Sequence, residues 1–108
     1  MPAYMIIAAK IADRDAFISG YGAAAARLVA QFGGKYVLRA PGAELLEGGF
    51  GAADFEGASV VISQWPDKAA ALAFWNSPEY AEAKKLRDGI AEVQVLLIEA
   101  AAINGDKP

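Results

Sequence analysis

An α+β fold follows from the order in which structural signals run along this 108-residue chain: strand, helix, strand, strand, helix, strand. Three observations carry the reading. Four short apolar runs are bounded by Gly, Pro or charged residues, the mark of strands. Two longer intervals repeat apolar residues at helical spacing and carry a cap residue at the start and glycine at the end. The strands are apolar on both faces, although two helices can cover only one. The first two observations predict a ferredoxin-like β-α-β-β-α-β unit, a four-stranded antiparallel sheet with both helices on one side. The third calls for a second copy of the chain over the other side, because a sheet face left to water is normally polar.

The first strand spans Ala3 to Ile11, with Met5, Ile7, Ala9 and Ile11 on one face and Tyr4, Ile6, Ala8 and Lys10 on the other. Asp13 caps the first helix, Asp15 suits its positive first turn, and Gly33-Gly34 stop it. Phe17, Tyr21, Ala24, Leu28 and Phe32 form its apolar stripe. Gly20 and Gly22 lie inside this helix and cost about 1 kcal/mol each relative to Ala. They are either tolerated losses or points of close approach to another backbone.

Lys35 to Ala40 is the second strand, broken by Pro41-Gly42, and Glu44 to Glu47 resumes an extended run. The glycine-rich tract from Gly48 lacks the spacing of a phosphate loop and reads as a flexible connection. Ala58 to Trp65 is the third strand, ended by Pro66. Asp67 caps a helix over Lys68 to Asn76, and Ser77-Pro78-Glu79 restarts it as N-cap, first helical residue and acidic first turn. This piece runs to about Asp88, Gly89 closes it, and Val93 to Glu99 is the fourth strand. Residues 1–100 are expected to form one domain and residues 101–108 a loosely held tail.

Composition excludes several functions. Hydrophobic residues make up 56% of the chain but many are Ala, so the core rests on a limited set of large side chains, and a partner subunit would add to it. The net charge of −3, with no basic cluster beyond Lys84-Lys85, argues against nucleic-acid or anionic-membrane binding. The absence of Cys and His removes disulfides, thiolate nucleophiles and the commonest metal ligand, and the carboxylates lack metal-loop spacing. No metal or other cofactor is expected. The N-terminus lacks a basic segment and its apolar run stops at Lys10, so it reads as a strand rather than a signal or span, and the expected location is the cytoplasm.

A short set of residues could form a site. Tyr80, Lys84 and Arg87 follow helical spacing along one side. Either this side is solvated, with Arg87 paired to Glu79 or Glu47, or Arg87 is the fork of an anion site. Arg39 and Glu47 either pair across a turn or project inward, where a buried Glu47 could act as a general base. Trp65 at a strand end can be core, dimer packing or a cleft wall, whereas Trp75 reads as core or the helix-sheet boundary, with a ligand platform as the alternative. Asn76 suits a left-handed helix break, or it donates its amide to a ligand carbonyl. Tyr4, Ser59, Ser63 and Gln94 are further polar groups on strands.

Gly33-Gly34-Lys35-Tyr36, Glu44-Leu45-Leu46-Glu47-Gly48, Ser63-Gln64-Trp65-Pro66 and above all Phe74-Trp75-Asn76-Ser77-Pro78-Glu79-Tyr80 with Leu86-Arg87 resemble domain-of-unknown-function family 1330, over about Ala3 to Glu99. The resemblance implies a dimeric α/β barrel, in which two ferredoxin-like sheets face one another. That superfamily includes cofactor-free monooxygenases, haem-dependent enzymes, isomerases and proteins of no known activity, so fold alone does not name a reaction. Relatives that hold haem through a His do not carry over to a chain without one. The expectation is a homodimer that holds a small anionic or aromatic molecule in a sheet-helix cleft, either as a binder or as a cofactor-free enzyme; the alternative is a structural or interaction dimer.

Overall fold

The computed structural model describes residues 1–49 and 55–101. Four strands, β1 (Ala3–Ile11), β2 (Lys35–Ala40), β3 (Ser59–Trp65) and β4 (Ala91–Glu99), form one antiparallel sheet in the order β2-β3-β1-β4. This is the ferredoxin-like arrangement that the order of signals predicts. Register fixes the faces: Met5 lies between Ser63 and Leu97, and Ile7 between Val61 and Val95. These residues, with Ala3, Ala9 and Trp65, face the helices.

The first helical segment begins at Asp13, whose carboxylate accepts from the Ala16 N–H at 3.1 Å. Such a cap contributes about 1 kcal/mol. It is not one regular helix: α1 (Arg14–Ala16) runs into a π-helical turn over Phe17–Gly22 before α2 (Ala23–Gln31) resumes. Gly20 and Gly22 both sit in that π turn. A methyl group at Gly20 would meet Leu86 Cβ at an ordinary 3.9 Å, so no tight backbone approach requires this glycine. Gly34 is different, since a Cβ there would stand 2.8 Å from the Trp65 indole.

Asp67 caps α3 (Lys68–Trp75), and Ser77 caps α4 (Pro78–Lys84) with Pro78 in the first turn. Ser77 Oγ accepts from the Tyr80 N–H at 3.1 Å and donates to the Phe74 carbonyl at 2.8 Å, so one hydroxyl joins the two helices. Asn76 between them has φ −92°, outside the left-handed conformation expected for it. A 3₁₀ turn, Lys85–Arg87, follows α4, and Gly89 with φ 78° makes the bend into β4. The run Glu44 to Glu47 forms no strand. Its side chains are exposed and have no strand partner to bury them, so propensity alone does not order it. Part of the glycine-rich connection, residues 50–54, and most of the expected tail, residues 102–108, lie outside the described residues.

The core lies between helices and sheet, where Trp65, Phe74 and Tyr80 pack as tilted rings, 5.0 Å between the first two centroids and 4.4 Å between the second two. The opposite sheet face carries Tyr4, Ile6, Ala8, Val60 and Ile62, with Leu38, Leu96 and Ile98 exposed. No helix of the described residues is long and apolar enough to cross a membrane.

Candidate functional site

Two polar assemblies lie on the helix side of the sheet. The first is internal. Tyr21, from the π turn, and Tyr80, from α4, bring their hydroxyls within 2.7 Å of each other. Arg87 reaches in from the 3₁₀ turn, donating to Tyr21 Oη at 3.1 Å and making a longer 3.5 Å contact with Tyr80 Oη. Its guanidinium also lies 4.8 Å from the Tyr21 ring centroid, a cation-π distance. Burial, reinforced by Tyr80, pushes the Tyr21 phenol far above its ordinary range, so it stays protonated. Lys84 stands 4.6 Å over the Trp75 ring beside this cluster.

The second assembly is open. A cleft of about 460 Å³ runs between the first helical segment and the β2–β3 part of the sheet. Ile11, Phe17, Ile18, Val61 and Pro41 give it apolar walls, and Arg14, Tyr36, Arg39 and Ser59 are its polar side chains. The π turn supplies Phe17, Ile18 and Gly22 to this wall while turning Tyr21 into the core. Arg14 Nη2 donates to Ser59 Oγ at 2.8 Å, which holds the guanidinium against β3.

Arg39 reaches the cleft through an irregularity. Tyr36 pairs with Ser63 and Leu38 with Ile62, so two steps along β2 match one along β3 and Val37 is the extra residue of a β-bulge. Strict alternation would put Arg39 and Tyr36 on opposite faces. The bulge puts both on the helix side, with the Arg39 guanidinium 5.4 Å from the Tyr36 ring centroid. Burial raises the Tyr36 phenol above its ordinary value, with Arg39 opposing, so Tyr36 remains a neutral donor.

The sequence candidates separate accordingly. Arg39 lines the cleft, while Tyr80 and Arg87 meet in the internal cluster. Trp65 is 1% exposed and donates its indole N–H to Ser63 Oγ at 2.9 Å, within the core. Asn76 is exposed at the α3 end, and Glu47 is exposed on the loop after β2 and is not among the described residues that line the cleft. Arg39 and Arg87 pair with aromatic residues, and among the described residues neither pairs with a carboxylate. Arg14 and Tyr36 were not candidates from sequence. Arg14 stands directly after the Asp13 cap, where a lone arginine carries no signal, and Tyr36 takes its place from its pairing with Ser63, which only the tertiary fold supplies.

This arrangement, a ferredoxin-like sheet with the Asn76-Ser77-Pro78 helix break over its core, is matched by the profile of Domain of unknown function (DUF1330) across residues 2–101. The chain belongs to the DUF1330 family. No curated protein matches it. Among solved structures, this DUF1330 chain is similar to the RPA0582 protein of unknown function from Rhodopseudomonas palustris, at 20% identity and a TM-score of 0.72 over 94% of this chain and 83% of the other. SnoaB, a cofactor-independent oxygenase from Streptomyces nogalater, matches at 15% identity and a TM-score of 0.67 over 97% and 98% of the two chains. A dimeric ferredoxin-like protein of unknown function from Jannaschia sp. CCS1 matches at 15% identity and a TM-score of 0.66 over 93% and 100%. At these identities the likeness establishes the fold of the DUF1330 chain, and its own residues must carry any functional argument.

Proposed function

We propose that this protein binds a small organic molecule in the cleft between its first helical segment and β2–β3, and that it does so as a homodimer joined through the open sheet face. The observation that carries the binding reading is the cleft's composition: apolar walls with Arg14, Tyr36, Arg39 and Ser59 converging on one space. A concave apolar site with a few placed polar groups is the usual form of a small-molecule pocket, and its volume falls in the usual range. Tyr80 and Arg87 belong to this reading as support behind the π-turn wall, and Trp65 as core.

A cofactor-free reaction is the catalytic form of the same proposal, supported by the fold shared with SnoaB. The cleft side chains offer hydrogen-bond donors and positive charge, and none of the described lining residues is a carboxylate that could take a proton. Binding is therefore the stronger part of the reading. Glu47 would serve as a base only if its loop brought it to the cleft.

The homodimer is supported by the apolar open face, with Leu38, Leu96 and Ile98 exposed, and by the dimeric ferredoxin-like neighbour. Native mass spectrometry of gently purified protein tests both parts. The expected species is a dimer with a reproducible added mass, which Tyr36→Trp, by filling the cleft, removes while sparing the dimer. A stable monomer at micromolar concentration would overturn the dimer. An added mass that survives Tyr36→Trp would place the ligand elsewhere.

A further inference from the structure

We infer that the cleft's ligand is an organic monocarboxylate with an apolar body, its carboxylate received by Arg14 and Arg39. The inference rests on the binding reading and names the chemistry of that same site.

Charge is the first argument. The chain is acidic, with 13 Asp and Glu against 10 Lys and Arg. The described residues that line the cleft reverse this balance, for they include Arg14 and Arg39 and no acid. Neither guanidinium has a carboxylate partner among the described residues. Two guanidiniums beside apolar walls, on a molecule of opposite net charge, attract small anions.

Donor count is the second. A guanidinium carries five N–H donors in a planar fork. Arg14 spends one on Ser59, which fixes its orientation, and Arg39 packs against the Tyr36 ring, a contact that uses no N–H. Most of the donors are left for a ligand, and the fork matches the two oxygens of a carboxylate.

The remaining walls limit the rest of the molecule. Beyond the two arginines, the polar side chains are Tyr36 and Ser59, and the other lining residues are apolar. A second charge on the ligand body would be desolvated there without a partner. A phosphomonoester, with close to two negative charges and three acceptor oxygens at neutral pH, is the competing anion that the test separates. The site that results grips one acidic group with Arg14 and Arg39 and covers an apolar body with Phe17, Ile18 and Val61.

The test uses three probes of one shape, 2-naphthoate, 2-naphthamide and 2-naphthyl phosphate, titrated calorimetrically into the wild-type protein and into Arg39→Gln and Arg14→Gln. The carboxylate is expected to bind at least about tenfold more tightly than the amide, as the loss of charge-assisted hydrogen bonds requires. Each substitution is expected to shrink that ratio while leaving amide affinity nearly unchanged. Equal affinity for carboxylate and amide would overturn the inference and leave the binding reading standing. Tighter binding of the phosphate would overturn the carboxylate assignment. Failure of all three probes would overturn the binding reading and the inference together. Arg39→Lys supplies the control for folding: it keeps the charge without the fork, so it should retain part of the ratio that Arg39→Gln loses.

Discussion

The internal cluster and the open cleft are built from the same side chains and arrange them in opposite ways. Each joins arginine to tyrosine on the helix side of the sheet. In the cluster, Arg87 aims an N–H at the Tyr21 oxygen, and Tyr80 sits beside it, so part of the hydrogen-bonding capacity is consumed inside the protein. In the cleft, Arg39 meets the face of Tyr36 rather than its hydroxyl, which leaves its donors unspent. Both guanidiniums lie over a tyrosine ring, so the difference is that Arg87 also spends a donor on a tyrosine oxygen and Arg39 does not.

The contrast can be strained most by attacking the interior. Phe74→Ala, beside Tyr80 and Trp65, should cost about 3–5 kcal/mol in denaturant unfolding, because a buried ring is removed from a close-packed site. If unfolding shifted by under 1 kcal/mol, this region would not be the core of the fold.

Alkaline pH should strain the cluster next. Burial raises the Tyr21 phenol, so the folded chain keeps a proton that the unfolded chain releases near pH 10. Stability is complete below that pH and falls as pH rises above it, by about 1.4 kcal/mol per unit for one tyrosine. Tyr36, raised in the same direction, adds to the fall. Tyr21→Phe should flatten this slope; an unchanged slope would mean the phenol titrates freely in the folded state.

A smaller effect distinguishes the two arginines directly. Arg87→Gln should lower stability by about 1–2 kcal/mol, through the bond lost to a buried hydroxyl, with little change in 2-naphthoate affinity. Arg39→Gln should do the reverse, shifting stability by no more than about 0.5 kcal/mol. Matching stability losses in the two variants would erase the distinction between tie and binding group.

Much of this contrast is legible in the sequence, and the reason for the rest is physical. Asp13, Asp67 and Ser77 announce their helices because a cap is a local bond between a side chain and an N–H three residues ahead. Tyr80 and Arg87 come together as helical spacing predicts, since they sit two turns apart on one side of a continuous segment. In the sequence Tyr21 is only one member of an apolar stripe, because its partner is 59 residues away and only the tertiary fold supplies it. The π turn and the Val37 bulge were not foreseen. Each adds one residue to a regular repeat, and a periodic reading of the sequence assumes that repeat. Ser59 was noted as a polar strand residue, but its partner Arg14 reaches it from 45 positions away.

The bulge at Val37 has a second effect, on how the molecule meets other chains. β2 is a border of the sheet, and a regular border strand offers its free amides and carbonyls to any extended segment that drifts past. An extra residue breaks the spacing of that row, and Lys35 and Arg39 charge it. Deleting Val37 should therefore do more than turn Arg39 away from the cleft: it would restore an even border and expose the protein to strand-by-strand polymerisation. One extra valine thus both turns Arg39 toward the cleft and interrupts this border of the sheet.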